Sequence, residues 1–277
     1  LNRTEALERV RPWWTKCKPT VQYLIETEAH VYALAISASV LLAFYPFVIV
    51  MMSICRDLLH WKAAMEMVPW ALKDFFAGEQ GDFIVRNIQS WQIPRLGFTS
   101  LFLLLFTANG IFEPMEVALN RAWGVTRNRT YLKNQVISLG LIFACGGLAL
   151  LSLMLSAGPS QWLSGKGWLG YFFLGLIFKL AAVPVSILAL FLVYWLLPNR
   201  KVEPRRVVPV AIVVGLILEG CKYVNILVAP VLARKFRDEY QVFRHSVTII
   251  VLSALAALIV LAGAHWIASH EKADPLA

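Results

Sequence analysis

Charge is scarce in this sequence, and its scarcity is concentrated. Only 16% of the 277 residues are Asp, Glu, Lys or Arg, against about 25% in an ordinary soluble domain. Three long stretches have none of the four: Ala29 to Cys55, Asn134 to Gly165 and His245 to His270. A helix on a water-soluble core needs one apolar stripe, so runs apolar on every side exclude a conventional soluble fold and call for lipid as solvent. Cysteine is sparse too. Cys17, Cys55, Cys145 and Cys221 form no CxxC pair, which removes support for a zinc site or a disulfide framework. The five histidines, His30, His60, His245, His265 and His270, are scattered. The chain has no HExxH, no GxSxG and no phosphate-cradling glycine loop. The sequence therefore offers no enzyme chemistry, no metal site and no cofactor.

What is present fits an all-α polytopic membrane protein. The chain is 58% hydrophobic with a mean hydropathy of +0.64. Hydropathy places about six transmembrane helices near 29–55, 96–113, 135–157, 178–197, 207–229 and 246–268. Pro46 interrupts the first span, and Lys179 and Pro184 divide the stretch that holds the fourth. Three segments follow: a cytoplasmic amphipathic segment over 1–28, a six-helix domain over 29–268, and a cytoplasmic tail over 269–277. The first segment carries both charge signs with Trp13 and Trp14, a pattern suited to the membrane surface. It does not read as a cleavable signal peptide, so the first span is expected to act as the targeting signal. Residues 56–95 hold five basic and five acidic residues interleaved with Trp61, Trp70, Phe75, Phe76 and Trp91. That spacing predicts amphipathic helices lying against the bundle or on the bilayer. Met115 to Val125 is expected to be a short amphipathic helix ending at Gly124, 158–167 a tight turn region, and Arg234 to Arg244 a charged loop. Gly140, Gly146 and Gly147 are expected to allow close helix contacts.

The net charge of +9 does not point to nucleic acid, because Lys and Arg lie between the apolar runs, where they set topology and meet anionic lipid. With both termini in the cytoplasm, the inner segments hold 14 basic residues and the outer ones 10. That bias predicts a bacterial inner-membrane protein with both termini inside.

Four segments carry a resemblance. They are Ala33 to Val50, with small residues leading to an aromatic and a proline; Phe106 to Val125, with Thr-Ala then Leu-Asn-x-x-Trp; Tyr194 to Tyr223, with the Leu-Pro-Asn-Arg turn, Glu219 and Lys222; and Leu261 to His265. In this order the chain resembles the YihY/BrkB family of bacterial inner-membrane proteins, some once labelled ribonuclease BN. The resemblance covers about 29–268. It implies six helices with both termini inside, and an association with envelope properties that include virulence and lipid export. The chain departs from the family at Val210 and Gln241, where glycine is frequent, and at His265, where glutamate is usual.

The sharpest candidates for function are Glu219 and Lys222. They sit three residues apart on one face of the fifth span, where each charge costs about 2.5–3.5 kcal/mol on insertion scales. Either they bind a lipid headgroup or ion, or relay protons, or they form a structural ion pair. Lys179 is a further intramembrane candidate, or its amine snorkels to the interface. Glu113 and Arg121 are expected to pair or to cap the short helix. Asn120 and Trp123 are expected to be structural, and His265 to be satisfied locally. Partners are membrane lipids and a possible lipid or ion substrate. Transport or lipid translocation through a polar site is the leading function. A non-transporting envelope scaffold is the alternative, and ribonuclease activity rests on the family's old label alone.

Overall fold

The computed structural model describes residues 18–62, 65, 68–69, 72–73, 76, 78–90, 98–125, 129–162 and 168–273. Among these the chain is helical throughout. A helix over 18–26 (α1) leads into α2 (Ala29–Ser53), which widens into a π-type turn at Ile54–Leu58. A helix over Glu79–Ser90 (α3) follows. Five long helices complete the order: α4 (Phe98–Ala122), α5 (Tyr131–Trp162), α6 (Trp168–Leu196), α7 (Pro204–Tyr240) and α8 (Arg244–Ala273).

The six long helices pack in a circuit. α2 lies between α4 and α8, α6 between α5 and α7, and α7 against α8, while α4 and α5 close the ring. Alternation of direction gives the bundle two ends. At the near end α2 begins, α4 ends, α5 begins, α6 ends, α7 begins and α8 ends. The far end carries α3 and the α7–α8 turn.

Among the described residues, three segments are long and apolar enough to cross a bilayer: Ala29–Leu58, Pro204–Tyr240 and Arg244–Ser269. Only 33%, 22% and 33% of their apolar windows are buried within the protein, so most of that surface faces outward and needs lipid. On α7 the sorting is clear. Val207, Ala211, Val214 and Gly215 are buried, and Leu218, Lys222, Asn225 and Ala229 continue the same stripe half-buried. Ile212, Leu216, Tyr223 and Leu227 lie exposed on the other side.

Several boundaries differ from those expected. Pro114 and Pro184 do not end helices: α4 and α6 run straight through them. In lipid no water competes for the backbone, so losing one ladder bond at a proline favours a break less than it does in water. The short helix expected after Pro114 is thus the last part of α4. It does end at Gly124, whose φ of +69° lets Val125 N–H reach the Asn120 carbonyl at 2.9 Å. Residues 158–162, expected in a turn, belong to α5. Residues 234–240, expected in a loop, are the last turns of α7, which is 37 residues long. At about 1.5 Å per residue, that length exceeds a hydrocarbon core of about 30 Å. Leu, Ala, Arg, Lys and Glu favour helix there, and the chain turns only at Gln241. Of the three glycines expected at close contacts, only Gly146 is one: the Phe47 ring of α2 occupies the space its Cβ would fill, whereas Gly140 and Gly147 face open space.

The amphipathic region between the first two spans takes shape in α3. Ile84 and Ile88 are buried against Val48 and Met52 of α2 and Ile249 of α8, while Asp82, Arg86 and Gln89 stay exposed. Trp13, Trp14, Trp70, Phe75 and Trp91 lie outside the described residues.

Gln241 has a φ of +44°, at one of the positions where the resemblance carries glycine. A side chain there stores backbone strain of about 1–3 kcal/mol. Gln241→Gly is expected to raise the thermal midpoint of the detergent-solubilised protein, with a gain of about 1 kcal/mol. An unchanged or lower midpoint would refute the strain.

Candidate functional site

Polar side chains gather at three levels of the bundle. The first is the middle of α7, where Lys222 Nζ lies 3.3 Å from Glu219 Oε1. Their side chains are 17% and 22% exposed. Three residues of separation puts both charges on one side of the helix, and Lys222 falls on the stripe that faces α6 and α8. The ammonium is also 5.9 Å from the Tyr223 ring centroid. Two opposite charges side by side lower the cost of holding either at this depth. They also leave a polar spot that an ion or a zwitterionic headgroup can engage. Lys179 lies on α6, and its side chain falls outside the described residues.

The second level, at the near end, joins α4, the start of α5 and the α6–α7 turn. Glu116 and Asn120 sit one turn apart near the end of α4, 5% and 2% exposed. Asn120 Oδ1 accepts the Asn199 backbone N–H at 2.7 Å, and the Asn120 amide nitrogen is 3.5 Å from Glu116 Oε1. Asn134 of α5 hydrogen-bonds the Glu116 carboxylate, and Arg129 attracts it. Arg129 in turn holds the Leu-Pro-Asn-Arg turn. Its guanidinium donates to the Leu196 carbonyl at 3.1 Å, the Pro198 carbonyl at 2.7 Å and Asn199 Oδ1 at 3.1 Å. Leu196 is the last residue of α6, so its carbonyl has no helical partner, and a cation there also meets the negative end of the helix dipole. Among the described residues, two buried polar atoms beside this cluster, Asn134 Oδ1 and Ser138 Oγ, find no partner.

The remaining sequence candidates lie around this cluster. Trp123 is 3% exposed and packs in the core with Leu119 and Leu197. Arg121 donates to the Tyr32 hydroxyl at 3.1 Å, and Glu113 is exposed. His265 stacks on Tyr23 with centroids 4.1 Å apart, its Nδ1 3.2 Å from Thr20 Oγ1, which ties α1 to α8. Glu116, Arg129 and Asn199 were not singled out from the sequence. Glu113 and Glu116 differ by about 60° around the helix, and only packing decides which is buried. The four-residue spacings Glu116–Asn120 and Asn134–Ser138 were the available signal: polar pairs on one face at the ends of apolar helices.

The third level is the far end. Glu79 of α3 accepts from Arg237 at the end of α7 and from Arg244 at the start of α8, the latter at 3.3 Å. Gln80 donates to the His245 carbonyl at 3.0 Å, and its Oε1 is 2.6 Å from His245 Nδ1. The Phe83 ring lies flat on His245, 4.0 Å between centroids. Lys73 and Asp82 pair at 2.7 Å. A cleft of about 480 Å³ opens between Glu79, Asp82, Arg86, Arg237 and Arg244.

Among the described residues no group of His, Cys, Asp and Glu is placed to hold a metal. Six long helices in a closed circuit, with three apolar segments long enough to cross a bilayer among the described residues, define a polytopic helical membrane protein. The chain belongs to the Virulence factor BrkB family, whose model matches residues 20–276, and the resemblance drawn from four short segments is thereby shown. It is similar to a UPF0761 membrane protein of Pseudoalteromonas translucida (strain TAC 125), at 23% identity over 227 residues, 76% of this chain and 70% of that protein. No solved structure matches.

Arg129→Gln removes the donors that hold the Leu196 and Pro198 carbonyls. It is expected to lower unfolding stability by about 1.5–3 kcal/mol in detergent, and unchanged denaturant resistance would contradict this. At the far end, the Lys73 hydrogen bond holds the Asp82 carboxyl below its ordinary value of 3.8. A carboxyl depressed by folding adds stability above its unfolded value and loses it as pH falls through the lower, folded value. Hydrogen exchange of Glu79–Ser90, corrected for its intrinsic pH dependence, is expected to accelerate below about pH 4. The Asp82→Asn variant should show a smaller step.

Proposed function

We propose that this protein moves a lipid or lipid-like amphipath across the bacterial inner membrane, with Glu219 and Lys222 as its polar station midway. The supporting observation is the 3.3 Å ion pair at the centre of α7, on the stripe of that helix turned toward its neighbours. Ionisable groups at mid-membrane are costly and typically mark a substrate or ion path. A zwitterionic or anionic headgroup can exchange for one partner of the pair while its tails stay in lipid. The proposal includes six spans and both termini in the cytoplasm, so that the near end faces inward, in keeping with 14 basic residues in the inner segments against 10 in the outer. It includes no catalytic step, no cofactor and no nucleic acid.

A second function has its own support. The clasp of Glu79 to Arg237 and Arg244 fixes α3 as a platform at the far end, which suits a scaffold that receives an envelope partner. Crosslinking from exposed positions on α3 would then recover one specific protein, and recovery of lipid alone would exclude it.

Translocation is tested in proteoliposomes with a fluorescent phospholipid. Wild type is expected to exceed empty vesicles, and Glu219→Gln to lower the rate about tenfold or more, equivalent to ~1.4 kcal/mol. The swapped variant, Glu219→Lys with Lys222→Glu, keeps the pair neutral and should fold while remaining slow. Wild-type transport by the swap would reduce the pair to mutual neutralisation. No movement above empty vesicles by wild type would end the proposal.

A further inference from the structure

A separate cleft of about 600 Å³ opens at the near end, between the start of α5, the end of α6 and the start of α7. Its size falls within the roughly 300–1,000 Å³ typical of small-molecule sites. Three cations border it, Arg129, Arg200 and Lys201, and no carboxylate lines it among the described residues. Of the acidic side chains at this end, Glu203 pairs with Arg206 at 3.4 Å, and Glu116, buried with Asn134, offsets part of the Arg129 charge. The walls are apolar, formed largely by Ile137, Leu141 and Trp195.

We propose that this cleft binds the phosphate of an anionic glycerophospholipid, with its first acyl segment lying on the apolar wall. Charge alone would suit any phosphate. The wall and the setting select a lipid: the cleft lies where three long helices end together, at the level of a membrane–water interface, and Trp195 is 40% exposed beside it, as aromatic residues are at that level. Basic pockets between membrane helices are suited to anionic headgroups. The site is also preorganised. Arg129 is fixed by its bonds to Leu196, Pro198 and Asn199, so its charge is already in place and little ordering remains on binding. Arg200 and Lys201 are exposed at the mouth, within reach of a headgroup. α7 starts at Pro204, on the edge of the cleft, where the positive end of its dipole offsets the negative end of α6. The inference does not rest on translocation: a lipid held here requires nothing of Glu219 or Lys222.

The test is native mass spectrometry of the full chain in non-ionic detergent, with phosphatidylglycerol or phosphatidylcholine added at equal concentration. Wild type is expected to retain one phosphatidylglycerol and to discriminate against phosphatidylcholine. Arg200→Gln with Lys201→Gln is expected to weaken phosphatidylglycerol retention about tenfold or more. Arg234→Gln with Lys235→Gln, at the far end, should leave it intact. If the near-end double variant fails to fold, Lys201→Gln alone should still weaken retention several-fold. Equal retention of phosphatidylcholine would overturn the proposal, as would full retention by the near-end variants. Displacement by inorganic phosphate as readily as by phosphatidylglycerol would overturn it in favour of a free-anion site. Failure here leaves the transport assay untouched, and failure of transport leaves this binding untouched.

Discussion

The bilayer is the partner on which every other contact here depends. α2, α7 and α8 carry apolar side chains around most of their circumference, and the protein buries only a third or less of their apolar windows. In water that surface would drive aggregation; in lipid it costs nothing. What remains for the protein to arrange is the fit between helices and the placement of its few charges. Fit comes from local shape, as where Phe47 enters the space beside Gly146, and from buried hydrogen bonds such as the Tyr194 hydroxyl to the Val260 carbonyl at 2.8 Å. Hydrogen bonds and close packing hold helices together in lipid, where the hydrophobic effect between them is absent.

Charges then sort by depth. At the two ends they are plentiful and serve as fasteners: Arg129 holds the α6–α7 turn, and Glu79 holds α3 to α7 and α8. Midway they are rare, and Glu219 and Lys222 neutralise each other. The near end differs from the far end in one respect that bears on function. At the far end Glu79 and Asp82 share the cleft with arginines, so opposite charges meet within the protein. At the near end Arg129, Arg200 and Lys201 border the cleft, and no carboxylate is among the described residues that line it. One bundle thus offers two different chemistries at its two ends.

Much of this was legible in the sequence, and the limits have physical causes. The charge-free runs located the apolar cores of the helices, because nothing but lipid rewards such runs. Helix ends were harder. Proline and charge are stop signals tuned to water, and Pro114, Pro184 and the charged 234–240 all lie inside helices here. Gln241 was marked as a departure from the family's glycine, and its positive φ explains why glycine suits that position. Asn120 and Trp123 were noted through the resemblance, and both are buried where α4 ends. Glu113 and Glu116 lie about 60° apart around α4, and only the neighbouring helices decide that Glu116 is the buried one. Arg129 and Asn199 were not seen as a pair because 70 residues separate them, and only folding brings them together.

The central claim is that the outer face of α7 is solvated by lipid while its opposite stripe is packed. Spin labels placed singly at Ala211, Ile212, Val214, Leu216, Leu218, Tyr223 and Leu227 in the reconstituted protein measure this through collision with oxygen and with a water-soluble nickel chelate. Oxygen contact should be high at 212, 216, 223 and 227 and low at 211, 214 and 218, with little nickel contact at any of them. Strong nickel contact at 216, 223 and 227 would place that face in water and contradict the account.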